Sequence, residues 1–173
     1  MHREHIDILD VRLASAGDDG TLDAVAVRFD TLDTYGTTFD RSAFGSMSKR
    51  RVPMLWSHMQ DQVIGSWSDF STSETDLRAV GRLNLEIIRA KEVRAMLLAG
   101  DIAGVSIGFE TLKDEWRADG VRHIRKAVIH EISLVALPSV PGARVTSVRH
   151  TVPDLSGFIR ATRRATLSLR GKD

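Results

Sequence analysis

The sequence predicts an α+β domain dominated by an antiparallel, barrel-like sheet with a few helices. Three observations lead there. Short apolar segments with alternating or β-branched character recur between clusters of Gly, Pro, Ser and Asp. One segment switches to helical period. The composition, 42% hydrophobic and 27% charged over 173 residues, is that of one soluble globular domain. A chain of this length buries roughly 70% of its unfolded surface, so it needs no disulfide or metal to hold it together. No internal repeat or low-complexity tract competes with this picture.

Residues 1–20 form an N-terminal strand or extension. The first clear strand is expected over 21–29, where Leu22, Val25 and Val27 stand among smaller and polar residues. Asp33-Thr34-Tyr35-Gly36 is a turn. Asp40 then suits the N-cap of a short helix running through Ser46, because its carboxylate can accept from free amides of a first turn. A strand over 52–58 carries Pro53, which points to a sheet edge or a strand start. Two further strands, 63–70 and 77–85, flank the polar turn 71–76.

Over 86–99 the period changes. Ile87, Ile88, Ala90, Val93, Met96, Leu97 and Leu98 recur at helical spacing, and Gly100 is a natural residue to follow a helix end. Strands return over 104–112, 121–129 and 131–137, the last two readable as one long strand with a bend. Pro138-Ser139-Val140-Pro141-Gly142 is a turn, and 144–148 a final short strand. The main domain therefore spans 21–148, with residues 149–173 as a basic tail or helix.

Composition also excludes function classes. With no cysteine in the chain, disulfide frameworks, zinc ribbons, iron–sulfur clusters and thiol nucleophiles fall away, and no cofactor or metal is expected. The opening residues Met1-His2-Arg3-Glu4-His5-Ile6-Asp7 lack the apolar region of a signal peptide. No stretch approaches the roughly 18 apolar residues of a membrane span, so no membrane association is expected and the cytoplasm is the default location. The net charge of +1 hides an asymmetry: residues 149–173 carry a net +4 and residues 1–148 a net −3. Basic tails often touch nucleic acid. This one has no aromatic interleaving beyond Phe158, while Leu155, Phe158, Ile159, Ala165 and Leu169 suit one face of a helix, so nucleic-acid binding is not expected of it.

A hydrolytic site requires a nucleophile, a base within reach of it and a group that orients the base. Among the histidines, His2 and His5 lie at a terminus and His150 begins the tail, which leaves His58, His123 and His130. His58 closes the run Val52-Pro53-Met54-Leu55-Trp56-Ser57-His58 beside a polar segment, where an imidazole is held rigidly yet partly exposed. The candidate nucleophile is Ser106 in Gly104-Val105-Ser106-Ile107-Gly108-Phe109. With a period of two, Val105, Ile107 and Phe109 face a core, and Ser106 lies between glycines on the other face, open to a close backbone approach. The alternative is a plain barrel strand with glycines at tight bends. The context is strand throughout, so this is not a nucleophile elbow despite the Gly-x-Ser-x-Gly spacing. Glu131 interrupts the apolar face Ile129, Ser133, Val135, Leu137. An unpaired buried charge costs several kcal/mol, so a partner is required: a histidine N–H, or an arginine such as Arg125 or Arg144. His130, on the opposite face, is the rival third member.

These segments, in this order, resemble the prohead maturation protease family of tailed bacteriophages and gene transfer agents, relatives of the herpesvirus assemblin proteases. The matching residues are Thr38-Phe39-Asp40-Arg41-Ser42-Ala43-Phe44, Met54-Leu55-Trp56-Ser57-His58 with Val63-Ile64-Gly65, Gly104 to Phe109, and Glu131-Ile132-Ser133-Leu134-Val135 with Pro138 and Pro141. Singly each motif is short; the ordered set, spanning roughly 22–148, is specific. The resemblance implies a herpesvirus-protease-like β-barrel ringed by helices. It implies a serine endopeptidase that acts inside an immature capsid, the prohead, on the scaffold region of the major capsid protein, and on itself. Residue by residue it assigns the base to His58, the nucleophile to Ser106 and the third position to Glu131, while the second histidine known in the assemblins keeps His130 open. The pairing of assemblins implies a homodimer. The rival class is a catalytically silent capsid-assembly module of the same fold. Two positions depart from the family pattern: Met59 stands where many members have aspartate, and the loop Pro138-Ser139-Val140-Pro141 lacks the usual asparagine.

Overall fold

The alternation of buried and exposed residues becomes eight strands and one helix in the described part of the chain. The computed structural model describes residues 4–8, 19–33, 35–47 and 50–136. In chain order the elements are β1 (Glu4–Ile8), β2 (Thr21–Arg28), β3 (Thr37–Phe39), β4 (Val52–Trp56), β5 (Met59–Thr72), β6 (Asp76–Leu83), α1 (Ile88–Ala99), β7 (Gly104–Trp116) and β8 (Arg122–Val135). One sheet of order β1-β7-β8-β4-β5-β6-β2 holds them, with β3 paired to β8 off that path. The edge strands β1 and β2 approach each other, so the sheet curls into a half-barrel. The expected strand over 144–148, the turn before it and the basic tail lie outside the described residues. No helix among the described residues is long and apolar enough to cross a membrane.

The core lines the inner face of that curl. Val105, Ile107 and Phe109 of β7, Ile132 and Leu134 of β8, and Met54, Ile64 and Trp67 of the middle strands are all fully buried there. Trp67 anchors the middle of the sheet: its Nε1 donates to the Ile132 carbonyl at 3.0 Å. Gly81 on β6 has no side chain because the indole occupies the space; a Cβ there would lie 2.6 Å from a ring carbon. Phe39 packs edge-on to Phe109, with ring centroids 5.2 Å apart. Helix α1 covers one side through Ala90, Val93 and Leu97, and Gly100 at φ 79° closes it by donating to Leu97. Ile88, expected on its apolar face, is instead exposed.

Three expectations change. The barrel is not ringed by helices among the described residues, and 40–46 forms consecutive turns in place of a helix. Asp40 does cap: its carboxylate accepts the Ser42 amide at 2.8 Å. The backbone then commits itself to β8 instead of to a helical ladder. Asp40 N–H donates to the Ile124 carbonyl, and the Ala127 amide donates to Ala43 at 2.8 Å. Nor is the sheet wholly antiparallel. β3 and β4 both run parallel to β8, at 122–124 and 132–134 respectively. β4 is thus an interior strand, and it tolerates Pro53 because pairing with β8 begins only at Met54. The two readings of 121–137 resolve into one long strand.

Two outcomes test these packing and capping accounts. Trp67→Phe removes the indole donor and part of the largest core side chain, and should cost about 2–4 kcal/mol in chemical denaturation. Hydrogen bonds from the Ser42 hydroxyl and amide hold the Asp40 carboxyl below its ordinary value. A carboxyl lowered in the folded state contributes stability above its unfolded pKa and loses it as pH falls through the folded one. Wild type should therefore be more stable than Asp40→Ala at pH 7, by about 1 kcal/mol. The gap should narrow as pH falls below the ordinary aspartate value of about 3.9 in a pH series of melting curves.

Candidate active site

His58 is presented by a hairpin tighter than a strand end. β4 and β5 pair up to Trp56 and Met59, so Ser57 and His58 are the two residues of the turn. Both adopt positive φ, 49° and 59°, as a type I′ hairpin requires. Neither is Gly, Asn or Asp, and a left-handed backbone costs such residues roughly 1–2 kcal/mol each. The turn is pinned to β8 against that cost. The Ser57 amide donates to the Leu134 carbonyl at 3.0 Å, and the His58 amide donates to Ser133 Oγ at 3.1 Å. Met59 is the first residue of β5 and half exposed.

Glu131 reaches this turn because β8 changes parity. Phe109 pairs with Ile129 but Gly108 pairs with Glu131, so an extra residue, His130, bulges out of the ladder. Ile129, Ile132 and Leu134 all face the core, and Glu131 with Ser133 faces the other side. The expectation that Glu131 shares the face of Ile129 is corrected by this bulge. Glu131 Oε1 lies 2.6 Å from His58 Nδ1, and Oε2 accepts the Ser133 hydroxyl at 2.6 Å. Space for the carboxylate comes from Gly108: a Cβ there would fall 2.9 Å from Glu131 Cγ and Cδ. Glu131 is 8% exposed. Of the partners considered for it, His58 is the one it meets, while Arg125 pairs with Glu115 at 3.1 Å and Arg144 lies outside the described residues.

Ser106 occupies the middle of the same face. It stands opposite Ser133 on β8 and opposite Asp7 on β1. Directly paired residues on adjacent strands have Cβ atoms roughly 4.5–5.5 Å apart, so Ser106 is one strand from the Glu131–Ser133 pair. It is wholly buried and lies in regular strand. A cleft of about 290 Å³ opens beside the imidazole, with Pro53, Leu55 and Val63 as its apolar wall and Gly108, His130 and Glu131 opposite. A larger cleft of about 640 Å³, near Arg82 and Glu86, shares Val63 with it and has no imidazole among its described lining residues.

A family model described as caudovirus prohead serine protease matches residues 8–155. The chain belongs to that family. Among individual proteins, it is similar to the prohead protease of Enterobacteria phage HK97, at 23% identity over 165 residues that span 89% of this chain and 73% of that protein. It also resembles the solved structure of the bacteriophage T4 capsid assembly protease, with a TM-score of 0.56 over 79% of this chain and 98% of that one. At 11% identity that second likeness is one of fold. The histidine and serine segments singled out in the sequence, at His58 and Ser106, lie on elements that the sheet brings into one neighbourhood.

Of the remaining histidines, His123 and His130 make contacts away from Glu131. His123 is buried and shares a hydrogen bond with the Thr38 hydroxyl at 2.8 Å, far along β8 from Glu131. His130 points toward Glu110, with Nε2 3.4 Å from its carboxylate, and does not hold His58 Nδ1. His5, which the sequence places at a terminus, lies on β1 in register with Gly108 of β7. Sequence reasoning missed Ser133 and the room that Gly108 leaves for the Glu131 side chain. The signal for Ser133 was present: it follows Glu131 by two residues and so shares its face. Gly108→Ala should push the carboxylate off its place and destabilise the fold by about 1–3 kcal/mol, read by denaturation.

Proposed function

We propose that this family member is an active serine endopeptidase with Ser106 as nucleophile, His58 as general base and Glu131 as the group that orients it. The observation that carries this is the 2.6 Å contact of His58 Nδ1 with Glu131 Oε1. A carboxylate on Nδ1 holds the proton there and leaves Nε2 as the basic nitrogen, the tautomer a serine nucleophile requires. Ser106 Oγ attacks the scissile carbonyl as Nε2 takes its proton. Nε2 then returns that proton to the leaving amine, and water hydrolyses the acyl-enzyme by the same route. Glu131 stays ionised throughout and stabilises the imidazolium.

The substrate in this proposal is the scaffold region of the major capsid protein, cleaved inside the prohead in the host cytoplasm. Self-cleavage and a homodimer of the assemblin type belong to the same reading. Similarity to a prohead protease of phage HK97 and to the capsid assembly protease of phage T4 supports the capsid setting.

Co-expression with the cognate capsid protein tests it. Wild type should remove the scaffold segment, and Ser106→Ala should leave it whole without loss of fold. Glu131→Gln should slow cleavage by about 10³–10⁴-fold, since it withdraws the charge that stabilises the imidazolium. Because Ser106 is wholly buried, a fluorophosphonate probe followed by peptide mapping reads directly whether its hydroxyl is reached and activated. An intact capsid protein together with an unlabelled Ser106 would leave the silent assembly module as the function.

A further inference from the structure

Ser133 is wholly buried, and its hydroxyl is used in two directions inside the site. It donates to Glu131 Oε2 at 2.6 Å and accepts the backbone N–H of His58 at 3.1 Å. Glu131 Oε1 in turn meets the ring of that same histidine. The three residues therefore close a ring of contacts: imidazole to carboxylate, carboxylate to hydroxyl, hydroxyl back to the amide of the residue that bears the imidazole. A serine hydroxyl has one proton to give, and here it is directed at a carboxylate, so Ser133 is not a second nucleophile although it lies directly opposite Ser106.

We propose that Ser133 is a positioning residue for the proton-transfer half of this site, a role that rests on the assignment of His58 and Glu131 made above. The terminal torsion of a glutamate is broad and roughly two-fold, so the chain alone does not select which oxygen faces the ring. The Ser133 hydroxyl selects it by occupying Oε2. Its lone pair also takes the amide of a left-handed residue, which ties the angle of the His58 side chain to the plane of the carboxylate. Both effects act through other residues. Ser133 touches neither substrate nor the proton in flight.

Two readouts on Ser133→Ala decide this. The first is the low-field proton NMR signal of His58 Nδ1–H, which reports the carboxylate contact without any substrate. Wild type should show it at neutral to mildly acidic pH, and Ser133→Ala should broaden or lose it. The second is inactivation by a fluorophosphonate. The limiting rate should fall about 10–100-fold while the half-saturating concentration stays within about twofold, the pattern expected when orientation and not binding is lost. Should Ser133→Ala fail to fold, Ser133→Cys, close in shape and a weaker donor, is read in the same way. A lower melting temperature with the signal and the limiting rate both intact would reduce Ser133 to a packing residue and overturn the proposal. If wild type itself neither labels nor cleaves, the assignment of the triad fails. Loss of the signal in Ser133→Ala would still uphold the positioning of the imidazole in that case.

Discussion

Burying a carboxylate in a protein interior costs several kcal/mol unless the charge is met by well-placed donors. Glu131 is such a carboxylate, and much of the surrounding architecture is a consequence of meeting it. One oxygen faces an imidazole and the other a hydroxyl. The facing strand has a glycine where any side chain would collide. The strand that carries Glu131 spends an extra residue so that it can leave the core face while Ile129 and Ile132 stay on it. The hairpin that supplies the imidazole accepts two left-handed residues to bring it close.

β8 is the element that makes these arrangements compatible. It pairs with β7 along one side and with β3 and then β4 along the other. The described residues between Thr37 and Trp56 therefore track β8, held between the strand pairings by bonds from the Asp40–Ala43 turns and from the Arg50 guanidinium to the Ile129 carbonyl. That path delivers the β4–β5 turn to residues 133 and 134. On the opposite side, β7 is in register to place Ser106 against Ser133. Trp67 locks the middle of the assembly from the core side by bonding the carbonyl of Ile132, the residue between Glu131 and Ser133. The same backbone segment thus faces the hydrophobic core with one side chain and the polar site with the next.

The retained fold alongside 11% identity to the phage T4 capsid assembly protease fits this economy. A curled sheet with an alternating core can be rebuilt from many apolar sequences of similar volume. A buried carboxylate with a defined histidine and hydroxyl cannot, because each substitution leaves a polar group without its partner.

The sequence alone determined a strand-rich fold, the helix ending at Gly100, the inward set Val105, Ile107 and Phe109, and the three chemistry-bearing residues His58, Ser106 and Glu131 as candidates. Each of these follows from local information: a period of two or 3.6, a turn-forming residue, or a charge at odds with its neighbours. Tertiary structure decided the rest. The parallel pairing of β3 and β4 with β8 depends on contacts more than seventy residues apart, and three residues such as Thr37–Phe39 are too few to show a period. The bulge at His130 shifts parity without any residue type that marks it, so the face of Glu131 was misread. The Asp40 turns have the capping chemistry of a helix but find their backbone partners on a distant strand. Gly108 is a glycine because a side chain from the neighbouring strand needs its space, and no pattern along one strand records what the next strand places against it.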